Sequence, residues 1–359
     1  MPSLWEAQRR HSQYYAGVLQ TADRLYGEGK DLLKQGLNLF DAEWTNIQIG
    51  QSWASSHADK EDEAAILCSD YPSWSLLDLR QPPQEQIKWY EDALSAARRL
   101  RRRNTESRHL GNLGIAYAES GEPRRAIDYF EQKLAVVQEI GDRRGEGQVL
   151  NSLGVVHRRL GKPQFSIQLF ERTLSIAREF GDRLGEGTAL NNIGMCYMDL
   201  RNRQRAMEFY NQALVIKEDI GDRRGKSNIL NNMGEVYAEL GESRLAIAHF
   251  EQSLVIDRED RYRRGEGIGL GNLGQAYADL GDSTRALELY KQALAIDREI
   301  GNQHDEGLTE YNISLLLNKL GDRSQAMAYA TDALRVFEQI EDPLSATVRK
   351  QLDTWRSEK

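Results

Sequence analysis

Only two cysteines, Cys68 and Cys196, occur in 359 residues. Two lone thiols in separate helical patterns cannot build a disulfide framework. They read as small buried packing residues of a chain kept in a reducing, cytoplasmic setting. No stretch approaches the roughly 18 apolar residues that a bilayer span requires. The N-terminus, Met1-Pro-Ser-Leu-Trp-Glu-Ala-Gln-Arg-Arg, lacks the apolar core of a secretion signal. Membrane partners are therefore not expected. Positive charge is in the minority: 47 Lys and Arg against 55 Asp and Glu leave a net charge of −8, so bulk attraction to nucleic acid is not expected either.

Catalytic and ligating motifs are equally scarce. The six histidines are scattered, and none has another His or Cys four residues away. His57 has Glu61 at that spacing but no third ligand, so neither a metal nor any other cofactor is expected. There is no Gly-x-Ser-x-Gly elbow. Gly221-Asp222-Arg223-Arg224-Gly225-Lys226-Ser227 comes nearest to a phosphate-binding loop, but it places three residues where four are needed before the Gly-Lys pair. The same slot reads Gly-Asp-Arg-Arg-Gly-Glu-Gly at 141–147, which makes it a turn. Gly29-Lys30 fails too, with Arg24 where the first Gly should stand and Asp31 where the hydroxyl residue should. A hydrolase-type cluster of His11, Asp41 and Asp70 has no motif behind it, and such residues are usually surface polar groups. The chain is not expected to be an enzyme.

What the sequence does contain is a period of 40 residues. Gly114, Gly154, Gly194, Gly234 and Gly274 share one slot, with Ser314 as the sixth member. Ala126, Ala206, Ala246, Ala286 and Ala326 share another, with Ser166 as the variant. Leu134, Leu174, Leu214, Leu254, Leu294 and Leu334 fill a third. A fixed period of this length marks a stacked repeat array, each unit packing on its neighbours. In the unit from Gly181 to Ile220, Gly181 suits the left-handed end of one helix and Asp182 the N-cap of the next. Leu190, Ile193, Tyr197 and Leu200 then follow at helical spacing. After a break at Arg201-Asn202, a second helix carries Ala206, Phe209, Tyr210, Ala213 and Leu214. Small residues at Gly194 and Ala206 let the two backbones approach, with Tyr197 and Tyr210 filling the space beside them.

Leu190, Ile193-Gly194, Tyr197, Ala206, Tyr210 and Ala213 resemble the tetratricopeptide repeat. The 40-residue period is that of the long-helix repeats of kinesin light chain and of Partner-of-Inscuteable proteins. Two features depart from the usual motif: its first aromatic is leucine here, and its late proline is missing. The resemblance implies an all-α fold, a right-handed superhelical solenoid, with six repeats over 103–342. A degenerate unit at 59–102 precedes them. There Ile87, Tyr90, Ala93 and Leu94 echo the second helix, Pro82-Pro83 opens it, and Trp74 replaces the glycine of the first. Residues 1–58 read as two longer helices, with Trp44, Ile47 and Trp53 as an apolar stripe, that cap one end. Asp342-Pro343 starts a last helix, within 343–359, that caps the other.

Residues 5–100 resemble, in addition, the helical segment that follows the nucleotide-switch module of bacterial STAND ATPases. The residues are Arg10-His11 with Tyr14-Tyr15, Leu37-Asn38-Leu39-Phe40-Asp41, Leu67-Cys68-Ser69-Asp70-Tyr71-Pro72 and Leu77-Asp78-Leu79-Arg80. That resemblance implies a partner-sensing arm and brings no catalytic residue.

The candidate binding residues form a series of asparagines. Asn112, Asn192, Asn232, Asn272 and Asn312 share a slot that Ser152 occupies once, and Asn151, Asn191 and Asn231 stand beside it. An amide offers donors and an acceptor, so it can pair with the backbone of any peptide. The asparagine ladder of O-linked N-acetylglucosamine transferase resembles this series, which implies a groove that grips extended peptides. The alternative is that each asparagine bonds to the adjacent helix and orders the stack. Helical steps of three and four place Arg144, Gln148 and Asn151 on one face with Val155 and Arg159. The same face carries Leu184, Thr188, Asn191, Met195 and Asp199, then Arg224, Asn228, Asn231, Glu235 and Glu239. Arg264, Ile268, Gly271, Gln275 and Asp279 continue it. Arginines toward one rim and carboxylates toward the other would contact a protein or peptide partner through both charge signs. Solvated charges are the alternative.

Overall fold

The computed structural model describes residues 3–74, 76, 77, 81 and 83–357. Of the residues singled out above, Asp78, Leu79, Arg80 and Pro82 lie outside these. The regular elements among the described residues are helices throughout. Two compact units, Met1–Phe180 and Gly181–Lys359, divide them. The first unit holds α1 (Leu4–Glu28), α2 (Lys30–His57), α3 (Asp62–Asp70), a 3₁₀ turn (Tyr71–Ser73) and α4 (Pro83–Arg99). The helix pairs α5 (Arg103–Glu119) with α6 (Pro123–Glu139), and α7 (Arg143–Arg159) with α8 (Pro163–Glu179), complete it. The second unit holds α9 (Arg183–Asp199) with α10 (Arg203–Asp219) and α11 (Arg223–Glu239) with α12 (Ser243–Glu259). It continues with α13 (Arg263–Leu280), α14 (Ser283–Ile300), α15 (Gln303–Lys319), α16 (Arg323–Gln339) and α17 (Leu344–Ser357). Each unit is an all-α solenoid of antiparallel helix pairs. No helix among the described residues is long and apolar enough to cross a membrane.

The turn chemistry explains the regularity. Asp142, Asp182 and Asp222 each accept the amide hydrogen of the glycine three residues on, at 2.9, 2.9 and 2.8 Å, which satisfies an orphan donor of the first turn. Gly181 holds φ at 64°, a conformation that costs glycine nothing and ends the preceding helix. At Asp260-Arg261-Tyr262 the device is degraded. Arg261 takes a left-handed φ of 55° and Tyr262 supplies no side-chain cap. In the degenerate unit, α3 stops at Asp70 because Pro72 has no amide hydrogen with which to extend it.

Within each pair one contact sets the spacing. The first-helix glycine lies under an aromatic ring of the second helix: Gly114 under Phe130, Gly154 under Phe170, Gly194 under Tyr210, Gly234 under Phe250 and Gly274 under Tyr290. A Cβ on any of these glycines would come under 3.0 Å from the ring. The sixth pair changes both partners, because Ser314 faces a second helix that carries Ala330, and both are fully buried. Tyr197 has a different role from Tyr210. It is half-buried and stacks on Phe209, with ring centroids 5.5 Å apart. His157, in the slot that holds Tyr117, Tyr197, Tyr237 and Tyr277 in other pairs, is buried with its Nδ1 unpartnered. Its ring meets Phe165 edge-on at 4.7 Å. Desolvation, then the nearby Lys162 charge, pushes its pKa down, so the neutral ring is the favoured form there.

The ends are finished by apolar stripes. Val348, Leu352 and Trp355 of α17 join the core cluster of α12 to α16, while the rest of that helix is mostly exposed. At the other end α1 and α2 form a hairpin stitched by hydrogen bonds. The Ser12 hydroxyl donates to the Gly50 carbonyl at 2.8 Å, and the Tyr71 hydroxyl donates to the Ser12 carbonyl at 2.7 Å. Phe40 stacks on Trp44 and Trp44 on Trp89, so the aromatic stripe of α2 packs on α4. Cys68 and Cys196 are buried and form no disulfide.

Gly194→Ala is expected to destabilise the protein by about 1–3 kcal/mol, because the added methyl meets the Tyr210 ring. Gly271→Ala is the control. That glycine is also inside a helix but has nothing within 4 Å of its Cβ position, so the change is expected to stabilise by up to about 1 kcal/mol. Urea titrations followed by circular dichroism should move the two midpoints in opposite directions.

Candidate functional site

The first helices of successive pairs touch one another, α5 with α7 in the first unit and α9, α11, α13 and α15 in turn in the second, more extensively than second helices do. Side chains along this line of contact form a continuous face within each unit. The asparagines lie on it, half-buried. In the second unit they bond to each other. Asn232 Nδ2 donates to Asn191 Oδ1 at 2.9 Å, and Asn272 Nδ2 donates to Asn231 Oδ1 at 3.2 Å. Each rung joins one pair to the next. Asn191 Nδ2 also reaches the Met195 sulfur at 3.6 Å, which places Met195 on the same face. Asn312 stands where the next rung of the second unit would start, but its partner position is Gly271, which has no side chain to accept one. In the first unit, Asn151 is half-buried on α7 beside exposed Gln148. Asn112 lines a separate cleft of about 230 Å³ with Gln81, Gln86, Tyr90 and Ile115.

The arginines of the series divide in role. The Arg144 guanidinium lies 5.1 Å from the centroid of Phe180, and that of Arg224 lies 4.1 Å from the centroid of Tyr262. Such contacts are worth about 0.5–1 kcal/mol at exposed sites, so both arginines brace the turns that join the pairs. Arg264 is exposed, as is Asn228. Below the face, buried Lys217 of α10 donates to the Leu184 carbonyl and the Thr188 hydroxyl, and pairs with Asp222 at 2.9 Å. Burial pushes the Asp222 carboxyl up, but the Lys217 ammonium and the Gly225 amide outweigh it and hold its pKa below the usual range.

The last first helix, absent from the candidate face drawn from the sequence, extends it. On α15 the same face carries Leu308 and Leu315, each more than a third exposed, around half-buried Tyr311. The signal was available, since these positions lie 40 residues beyond Ile268, Gln275 and Gly271. The face of the second unit therefore runs from amide-rich to apolar. The remaining cluster does not assemble. His11 lines a cleft of about 680 Å³ between α1 and α2, with Gln8, Gln48, Trp53 and His57, and neither Asp41 nor Asp70 is on its wall. Asp70 pairs instead with Arg102 at 3.6 Å. Among the described residues, no group of three or more His, Cys, Asp or Glu side chains is placed to hold a metal.

A family model described as tetratricopeptide repeat matches residues 145–219, 186–259 and 265–339, and a second model with the same description matches 110–144. No curated protein matches the sequence. Many solved structures are similar, three of them over almost the whole of this chain. Aspartyl phosphate phosphatase F from Bacillus subtilis is 12% identical with a TM-score of 0.64, over 94% of this chain and 95% of that one. A Rap protein complexed with Competence and Sporulation Factor is 14% identical with a TM-score of 0.59, over 96% and 98%. A STAND protein with a tetratricopeptide repeat sensor from Pyrococcus horikoshii is 15% identical with a TM-score of 0.59, over 98% and 55%. At these identities the likeness is one of fold.

The rung between Asn191 and Asn232 is expected to contribute about 0.5–1.5 kcal/mol. A double-mutant cycle with Asn191→Ala and Asn232→Ala should return a coupling energy of that size, read from urea midpoints. Purely additive losses would remove the bond from the stabilising interactions.

Proposed function

The chain belongs to the tetratricopeptide repeat family, and from that premise we propose that it is a protein-interaction module without catalysis of its own. The first-helix face takes an extended protein segment. The supporting observation is the state of the asparagines. They are half-buried, and each rung bond engages one donor of Asn232 or Asn272. A carboxamide has two donors and an acceptor, so the rung leaves the amide capacity to meet a peptide backbone. The rungs also fix the amide orientation in advance, which lowers the entropy lost on binding. Both readings of the asparagines thus operate together: they order the stack and present prealigned amides.

The chemistry of the face limits the ligand. Carboxylates of a bound segment meet Arg264 at one rim, and basic groups meet Asp279 at the other. Apolar side chains reach Leu308 and Leu315 on α15. Extended segments bound this way draw affinity from main-chain hydrogen bonds and specificity from side-chain pockets. The partner is a cytoplasmic protein, and neither nucleic acid nor a membrane is required.

A second reading makes the chain the sensor arm of a STAND-type signalling ATPase. It is supported by the Pyrococcus horikoshii neighbour, described as having a tetratricopeptide repeat sensor. In that reading the same face receives the partner and the nucleotide chemistry belongs to another module.

Affinity capture from native lysate should retain a partner on the wild type and lose it on the Asn192→Ala, Asn232→Ala, Asn272→Ala variant, with both proteins matched for circular dichroism and melting. Identical partner lists would move the binding site off this face.

A further inference from the structure

Glu310 breaks the repeat in a place where nothing polar is expected. Its slot holds Leu110, Leu150, Leu190, Leu230 and Leu270 in the earlier pairs, each 2% exposed or less. Glu310 is itself fully buried. Its Oε1 accepts one hydrogen bond from Arg298 Nη2 of α14 at 2.5 Å, and its Oε2 has no partner. Arg298 cannot neutralise it fully, because that guanidinium is half-exposed and also pairs with Glu306 at 2.9 Å. The other charges that act on Glu310 are Asp332 from α16 and Glu306 on its own helix, both negative. From α13, the remaining neighbour, Leu270, Leu273 and Tyr277 belong to the apolar core. A second buried carboxyl lies at the same interface: Asp297 of α14 is 2% exposed and accepts from the Thr309 hydroxyl at 3.3 Å.

We propose that the interface between α14 and α15 is a proton-operated latch, closed when Glu310 is protonated and opening α15 to α17 locally when it is ionised. In the closed state the protonated carboxyl is a neutral group in an apolar slot. On ionisation, a charge with one unpartnered oxygen is held away from water, and local opening relieves it. The consequence for ligand binding rests on the reading above, since Leu308 and Asn312 ride on the same helix; the opening itself does not.

The direction follows from burial. Desolvation pushes the Glu310 carboxyl up to about 7 from 4.5, against the pull of Arg298, and pushes Asp297 up to about 6 from 3.8. Each folded-state value is raised. The stabilisation is therefore complete below the unfolded values and is lost as pH rises through the folded ones. For Glu310 the loss runs from pH 4.5 to about 7.

Hydrogen exchange by mass spectrometry tests this, with protection corrected for the intrinsic pH dependence of exchange. Between about pH 5.5 and 7.5, residues 303–319 should lose roughly tenfold protection, while 223–239 stay level. Glu310→Leu, which restores the residue of the sister repeats, should abolish the loss, and Glu310→Gln should do so without changing side-chain size. If Glu310→Leu does not fold, Glu310→Gln carries the test. Level protection of 303–319 in the wild type, or a tenfold loss that persists in Glu310→Gln, would overturn the proposal.

Discussion

The seat of an aromatic ring on a first-helix glycine is the contact on which the rest depends. It sets how closely the two helices of a pair approach, because no heavier side chain fits between Gly234 and Phe250 or between Gly194 and Tyr210. Interiors at this packing density transmit a change of one methyl group. Repeating the seat every 40 residues gives the five pairs that carry it nearly the same close approach. The sixth pair shows the constraint from the other side. Ser314 would not fit under a ring, and the ring position there is Ala330.

The face of the first helices follows from that stacking. Because successive first helices touch, a side chain in one slot falls within hydrogen-bond reach of the neighbouring slot one repeat on, and asparagine rungs result. Gly271 interrupts the series, and beyond it the face turns apolar. The brace contacts, Arg144 on Phe180 and Arg224 on Tyr262, secure the turns that carry the first residues of this face. On the proposed reading, binding and folding use the same residues: an amide that orders the array is also held in place for a ligand.

Much of this was legible in the sequence, because period, caps and small-residue slots each leave a local signature. Asp182 as an N-cap, Gly181 as the left-handed residue and Gly194 as the close-approach residue are all readable from residue type and spacing. The mutual pairing of Asn191 with Asn232 was not, since the distance between helices one repeat apart depends on packing and not on any local rule. The cation–π seats were hidden for the same reason. Arg224 and Tyr262 are 38 residues apart, one on α11 and the other in the turn before α13. Glu310 was visible as a departure from leucine. Its significance needed the structure, which shows a buried carboxyl with one side satisfied.

The size exchange in the sixth pair supplies the most direct measurement. It is a double-mutant cycle that transplants that exchange into the fourth pair, with Gly234→Ser, Phe250→Ala and both together, read from urea midpoints. Alone, Gly234→Ser should cost about 1–3 kcal/mol by overpacking and Phe250→Ala about 3–5 kcal/mol by leaving a cavity. Together they should cost less than their sum by at least about 1 kcal/mol, since the serine then stands where the ring was. Strict additivity would mean that ring and glycine act independently, and the spacing of the pairs would have to be set elsewhere.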